Sequence, residues 1–114
     1  MTSIHDLRCE YRLDPLGIDA AIPRLSWLIE ANRRGEVQIA FQVLVASTAE
    51  LLADDVGDLW DSGCVSSDTS IQVEYAGRPL ASRQRCCWKV RIWDRDNRPT
   101  SWSAPACWSM GLLQ

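Results

Sequence analysis

The stretch Arg85-Cys86-Cys87-Trp88-Lys89-Val90-Arg91-Ile92-Trp93-Asp94 carries the clearest strand pattern in the chain. Side chains alternate across a β-strand with a period of two. Cys86, Trp88, Val90 and Ile92 therefore share one face, and Cys87, Lys89, Arg91 and Trp93 share the other. The first face is wholly apolar and reads as core. The second mixes cations with aromatic surface and reads as an outer face. The same period recurs upstream. Leu7, Cys9 and Tyr11 alternate with Arg8 and Glu10. After Pro23, Leu25, Trp27 and Ile29 alternate with Ser26, Leu28 and Glu30. Across residues 37–46, Ile39, Phe41, Val43 and Val45 oppose Gln38, Ala40, Gln42 and Leu44. Leu59-Trp60-Asp61-Ser62-Gly63 reads as a short edge strand, and Ile71, Val73 and Tyr75 alternate with Gln72 and Glu74. A last strand is expected over residues 101–110. Asp14-Pro15-Leu16-Gly17 and Ala76-Gly77-Arg78-Pro79 are turn signals, and Asn32-Arg33-Arg34-Gly35 reads as the turn of a hairpin. About seven such strands predict an all-β, antiparallel two-sheet β-sandwich. Its expected core is Leu25, Trp27, Phe41, Val43, Val45, Val73, Trp88, Val90 and Ile92.

One short helix interrupts the strands. Ser47-Thr48-Ala49-Glu50 has the spacing of a capping box, with Ser47 as the cap, and Leu51 and Leu52 follow. Asp54 and Asp55 oppose the dipole at a helix C-terminus, so the helix should end within two turns.

The 114 residues fit one domain, 1–114, with no room for a second core. A net charge of −3 and a pI near 5.0 exclude a general nucleic-acid partner or an anionic membrane surface, which require a basic face. No apolar run approaches the roughly 18 residues of a membrane span. The N-terminal residues are charged and lack an apolar signal core, so the chain as written is expected in the cytoplasm.

The five Cys include no Cys-x-x-Cys pair, and His5 is the one histidine. No metal site or cofactor is expected from that set. Thiols are expected to remain reduced, with no disulfide needed for folding. Cys9 and Cys107, on the first and last strands, are the one pair whose approach is worth checking. Asp94-x-Asp96-Asn97 has the look of a calcium loop but lacks the Gly and the distal Glu of an EF-hand. It reads better as a turn capped by an Asx side chain. With a single histidine, neither a Ser/His/Asp nor a Cys/His nucleophile system is expected.

Six Trp, and eleven Arg against the single Lys89, are the strongest biases of the composition. Trp27 and Trp88 fall on core faces. Trp93 shares a face with Lys89 and Arg91. Trp102 and Trp108 are expected on the last strand, beside the strand that carries Arg91. Arg stacks well on Trp faces, so a Trp–Arg ladder is predicted there. Lys89, Arg91, Trp93 and Trp102 are the candidate docking or stacking face, and Trp102 is its expected cross-strand partner. A sugar-binding surface would draw on the same residue types.

Leu80, six residues before Cys86, together with Trp88-x-Val90-x-Ile92, is similar to the corner and sixth strand of fibronectin type III and immunoglobulin-like domains. The corner residue of that fold is usually Tyr, and Cys86 stands here, so its hydroxyl hydrogen bond is not expected at this position. A narrower resemblance covers nearly the whole chain. Leu7-Arg8-Cys9-Glu10-Tyr11, Asp14-Pro15-Leu16-Gly17-Ile18-Asp19, Pro23-Arg24-Leu25-Ser26-Trp27, Phe41-Gln42-Val43-Leu44-Val45-Ala46-Ser47, Leu59-Trp60-Asp61-Ser62-Gly63 and Trp88-Lys89-Val90-Arg91-Ile92-Trp93-Asp94 occur in order. With Trp102-Ser103 and Met110-Gly111-Leu112-Leu113, they resemble the N-terminal β-sandwich domain of bacterial α-L-rhamnosidases. The resemblance implies an accessory domain of a larger glycoside hydrolase. In that family further β-domains and an (α/α)6-barrel follow, and the barrel holds the catalytic carboxylates.

On that resemblance the parent enzyme hydrolyses terminal α-L-rhamnosyl groups with inversion, and the present chain is not itself an enzyme. Glycoside hydrolysis needs two carboxylates about 5–9.5 Å apart across a sugar cleft. Here Asp54, Asp55, Asp58, Asp61, Asp94 and Asp96 gather in turns, so no catalytic residue is expected. A structural and docking module is the leading reading, with the remaining domains of the parent enzyme as partner. The alternatives are a carbohydrate-binding module for rhamnose-containing glycans and a protein-interaction domain of the fibronectin type III kind.

Overall fold

The structure, a computed structural model, describes residues 2–10, 12, 13, 16–18, 22–31, 38–68, 70–94 and 96–111. Among these, seven strands and one helix follow in order: β1 (Thr2–Cys9), β2 (Arg24–Ala31), β3 (Ala40–Ala46), α1 (Ala49–Ala53), β4 (Trp60–Asp61), β5 (Val73–Glu74), β6 (Arg85–Trp93) and β7 (Ala106–Ser109). They form two antiparallel sheets, β1-β2-β5 and β4-β3-β6-β7. This is the predicted sandwich. The central pairing sets Phe41 opposite Ile92, Val43 opposite Val90 and Val45 opposite Trp88. Directly opposed residues share a face, so two apolar rows become one continuous inner surface.

All nine expected core residues are buried in one cluster between the sheets, together with Leu7, Cys9, Ile18, Leu59, Tyr75, Cys86, Trp108 and Met110. The aromatic rings form two groups. Trp27 meets Phe41 edge-on at 5.3 Å and Trp88 at 6.5 Å, and Tyr75 lies 6.4 Å from Trp108 and 5.5 Å from Trp60. A buried indole N–H needs an acceptor. Gln38 supplies it, accepting from Trp27 Nε1 at 3.0 Å and donating to the Ser67 carbonyl at 2.9 Å. By parity Gln38 would fall on the half-polar outer face. It is buried because β3 begins only at Ala40, so the alternation does not extend back to it.

Four further expectations change. β2 and β3 do not pair as a hairpin, because they lie in different sheets. Residues 32–35 themselves, like Tyr11, Asp14, Pro15, Val37, Leu112 and Leu113, lie outside the described residues. The last strand begins at Ala106 instead of 101. Ahead of it the Ser103 N–H donates to the Val90 carbonyl, where the β6–β7 register would set Ala104 opposite Val90. That resets the alternation. Trp108 sits opposite Cys86 and shares its inner face, so it joins the core and not the ladder.

The helix cap moves by one residue. Thr48 Oγ1, not Ser47, accepts from the Leu51 backbone N–H at 3.2 Å. Ser47 instead donates from Oγ to Asp58 at 2.6 Å and from its backbone N–H at 2.8 Å. A hydroxyl clamp forms elsewhere, while Cys86 at the corner supplies none. Tyr75 donates to the carbonyls of Arg78 at 2.6 Å and Leu59 at 3.2 Å. This ties the turn after β5 to the start of β4. Gly77 is required in that turn, since a Cβ would lie 2.3 Å from the Leu59 carbonyl oxygen.

Candidate functional site

The outer face of β6 is built in two halves. At the Cys87 end, Leu44 and Ala46 of β3, Leu52 of α1 and Cys87 form a second buried cluster, against which Leu51, Trp102 and Cys107 pack. The helix is short, but its two leucines cover this half of the sheet. Lys89 lies at the margin of that cover. It was expected on an exposed face and is 8% exposed. Its aliphatic stem is enclosed while its ammonium pairs with Asp55, just past the helix. A long cationic side chain can satisfy both demands at once.

Beyond the reach of α1, side-chain stacking replaces helix cover. The Arg91 guanidinium lies 4.7 Å from the Trp102 ring centre and 5.1 Å from that of Trp93. The Lys89 ammonium lies 4.9 Å from the Trp102 ring. Arg91 Nε also donates to Gln42 Oε1 at 3.0 Å, and Gln42 Nε2 donates to Asp61 at 2.9 Å. Lys89, Arg91, Trp93 and Trp102 are thus brought together. Trp102 arrives from the segment before β7, not from a strand. Ser103 holds that segment: its N–H donates to the Val90 carbonyl at 2.9 Å and its Oγ accepts from the Val90 N–H at 3.1 Å. Sequence reasoning missed Gln42 and Ser103, although Gln42 lies directly opposite Arg91 in the strand register.

The carboxylates serve turns and clamps. Desolvation raises the Asp58 pKa, but hydrogen bonds from Ser47, with the Asp58 backbone N–H and the Arg78 charge, together hold the carboxyl below its ordinary value. Glu10 is likewise lowered, first by its side-chain hydrogen bond with Arg24, a two-pronged contact at 3.0 and 3.3 Å. Asp94 accepts from the backbone N–H groups of Asp96 and Arg98, the pattern of an Asx-capped turn. Among the described residues no group of three or more His, Cys, Asp or Glu is placed to hold a metal ion. Among the described residues no helix is long and apolar enough to cross a membrane.

Two apolar clefts open on the four-stranded sheet. One, about 380 Å³, runs along β7 between Leu16, Arg85, Pro105 and Cys107. The other, about 190 Å³, lies between α1, Lys89 and Trp102. Neither is lined by an acidic side chain.

The two cysteines whose approach was worth checking are far apart in role. Cys9 lies in the core between the sheets, whereas Cys107 packs on the outer side of the four-stranded sheet. Cys107 Sγ instead lies 3.2 Å from Cys87 Sγ.

Residues 4–114 match the Rha78A-like, N-terminal immunoglobulin domain family. The chain is 51% identical over 104 residues to an α-L-rhamnosidase of Streptomyces avermitilis, an alignment that takes in 91% of this chain and 10% of that protein. It is 39% identical over 100 residues to an α-L-rhamnosidase of Formosa agariphila, covering 88% and 10%. Among solved structures, it superposes on the S. avermitilis α-L-rhamnosidase complexed with L-rhamnose with a TM-score of 0.92 and 47% identity, covering 97% of this chain and 11% of the other. On the α-L-rhamnosidase of Dictyoglumus thermophilum the TM-score is 0.94 at 36% identity, covering 96% and 12%. The chain spans about a tenth of the length of the relatives it matches.

Proposed function

The chain belongs to the Rha78A-like N-terminal immunoglobulin domain family of α-L-rhamnosidases, and from that premise we propose that it is a non-catalytic structural and docking domain of such an enzyme. Its partner is the remainder of the same enzyme, whose reaction is the hydrolysis of terminal α-L-rhamnosyl groups. The observation that carries this reading is one of proportion: 97% of the chain superposes on 11% of a solved rhamnosidase. Two features of the site agree with it. The clefts on the four-stranded sheet lack the pair of acids that glycoside hydrolysis requires. The aromatic faces that a pyranose would use are engaged internally, since Arg91 stacks on both Trp93 and Trp102.

The 114-residue chain is expected to give no turnover of an aryl α-L-rhamnoside. Reproducible hydrolysis by a sample free of host glycosidase would overturn the non-catalytic assignment. Titration with L-rhamnose, followed by the indole N–H resonances of Trp93 and Trp102, is expected to show no saturable shift. A saturable shift would replace docking by sugar binding. Removing these residues from the full-length enzyme should lower its melting temperature, and an unchanged value would count against a docking role.

A further inference from the structure

Cys87 and Cys107 face each other across the β6–β7 ladder. The ladder geometry says what kind of pair they are. The Met110 N–H donates to the Gln84 carbonyl at 2.8 Å. The register that sets Arg85 opposite Ser109 and Cys86 opposite Trp108 sets Gln84 opposite Met110 one step earlier. Hydrogen-bonded and non-hydrogen-bonded pairs alternate along an antiparallel ladder. If 84/110 is hydrogen-bonded, so is 86/108, and 87/107 is a non-hydrogen-bonded pair. In such pairs the Cα atoms are about 4.5 Å apart and the side chains at their closest. That separation lies within the roughly 4.4–6.8 Å that a disulfide spans.

The side chains already converge, with Sγ atoms 3.2 Å apart. Cys86, next in sequence, points into the core, so only Cys87 of the two can meet Cys107. Access is also unequal. Cys87 is buried, whereas Cys107 is half-buried and lines the cleft along β7. Burial, then the hydrogen bond with Cys107, pushes the Cys87 thiol up to about 11. Cys107 is therefore the sulfur a reagent meets first, and Cys87 the one that resolves.

We propose that Cys87 and Cys107 are a modification site, closing a reversible cross-strand disulfide that fastens the edge strand β7 to β6, with a small-molecule disulfide such as glutathione disulfide as the oxidant. The Cys107 thiolate attacks one sulfur of glutathione disulfide. The reagent's S–S bond breaks, and one glutathione leaves as a thiolate that takes up a proton. The Cys87 thiolate then attacks the Cys107 sulfur of the mixed disulfide and expels the second glutathione. Two protein thiols are oxidised, one glutathione disulfide is reduced to two thiols, and the protons balance. The closed ring links residues 20 positions apart. A ring of that size restricts the unfolded chain enough to raise the melting temperature by roughly 10 °C if native geometry is kept. It would also secure a four-residue edge strand, the kind of element that is otherwise easily frayed.

The test is incubation of the 114-residue chain with glutathione disulfide, then peptide mapping by mass spectrometry and a melt with and without reductant. The expected product has lost two hydrogens, links the peptide holding Cys86 and Cys87 to the one holding Cys107, and melts roughly 10 °C higher than the reduced chain. The link should persist in Cys86→Ala and vanish in Cys107→Ser and Cys87→Ser. Three results would overturn the proposal: a mixed disulfide at Cys107 that never resolves, a link that survives Cys87→Ser, or an oxidised chain that melts no higher than the reduced one. Cys107→Ser alters a half-buried position only, so it keeps the test open should Cys87→Ser fold poorly.

Discussion

The inner and outer faces of β6 come from one alternating stretch, yet they are stabilised differently. On the inner face, Cys86, Trp88, Val90 and Ile92 meet an entire opposing sheet and are fully enclosed. On the outer face, among the described residues, there is no second sheet. Cys87 is covered by a five-residue helix, Lys89 lies at the margin of that cover, and Arg91 is covered by the rings of Trp93 and Trp102. Period two assigns sides but not cover. Apolar content is compelled where a layer faces a layer. Where the cover is a short helix or a few side chains, amphipathic residues that bury a stem and expose a head take its place.

The largest expected effect tests the inner face. Trp88→Ala removes a ring packed against Trp27 at the centre of the sandwich, and a cavity of that kind costs about 3–5 kcal/mol. That is a large share of a domain's usual 5–15 kcal/mol, so urea melts should show a much reduced midpoint or no cooperative transition. A loss below about 1 kcal/mol would mean that the core collapses around the gap, and the contrast between faces would fail.

A middle effect tests the outer face. Arg91→Ala removes the cation between two indoles and the stem beneath them, and should cost about 0.5–2 kcal/mol. Arg98→Ala, in the exposed turn after β6, should leave the midpoint within about 0.5 kcal/mol and serves as the control. An unchanged midpoint for Arg91→Ala would show that the stack adds nothing to the isolated domain.

What could be read from the sequence divides along the same line. The inner row was legible because alternation between apolar and polar residues is a local signal, and all of Leu25, Trp27, Val43, Trp88 and Val90 followed it. Positions failed where a break in the strand reset the count. Gln38 lies just outside β3 and turns inward to serve Trp27. Trp108 follows Pro105 and faces the core although Trp102, with the same parity, does not. The Thr48 cap and the Tyr75 hydroxyl clamp depend on backbone geometry that neighbouring residues of similar chemistry could equally have supplied. The ladder residues Lys89, Arg91 and Trp93 share a side by parity alone. The burial of Lys89 was not legible, because it depends on where α1 lies over the sheet.

The smallest effect concerns the clamp at the root of that cover. Ser47 precedes the cap of α1, and its hydroxyl and N–H hold Asp58 after the helix, closing the excursion in which α1 lies. The Asp58 carboxyl is held below its ordinary value of 3.8. A carboxyl whose folded pKa is depressed stabilises the fold above its unfolded value and loses that contribution as the pH falls through the folded one. Asp58 should therefore support the outer layer at neutral pH and release it below about pH 3.8. Glu10, lowered from 4.5 by Arg24, adds an acid sensitivity of the same sign at the other sheet. Ser47→Ala isolates the Asp58 contribution. It should lower stability at pH 7 by about 1 kcal/mol, the size of one partly exposed hydrogen bond to a charged group. The gap between Ser47→Ala and the wild type should narrow as the pH is taken below 3.8, because the protonated carboxyl no longer accepts from Ser47 with its full charge. Melting curves of both proteins at neutral and acid pH measure it. A gap that stays constant would show that Ser47 acts by packing alone and that the cover over the outer face is insensitive to charge.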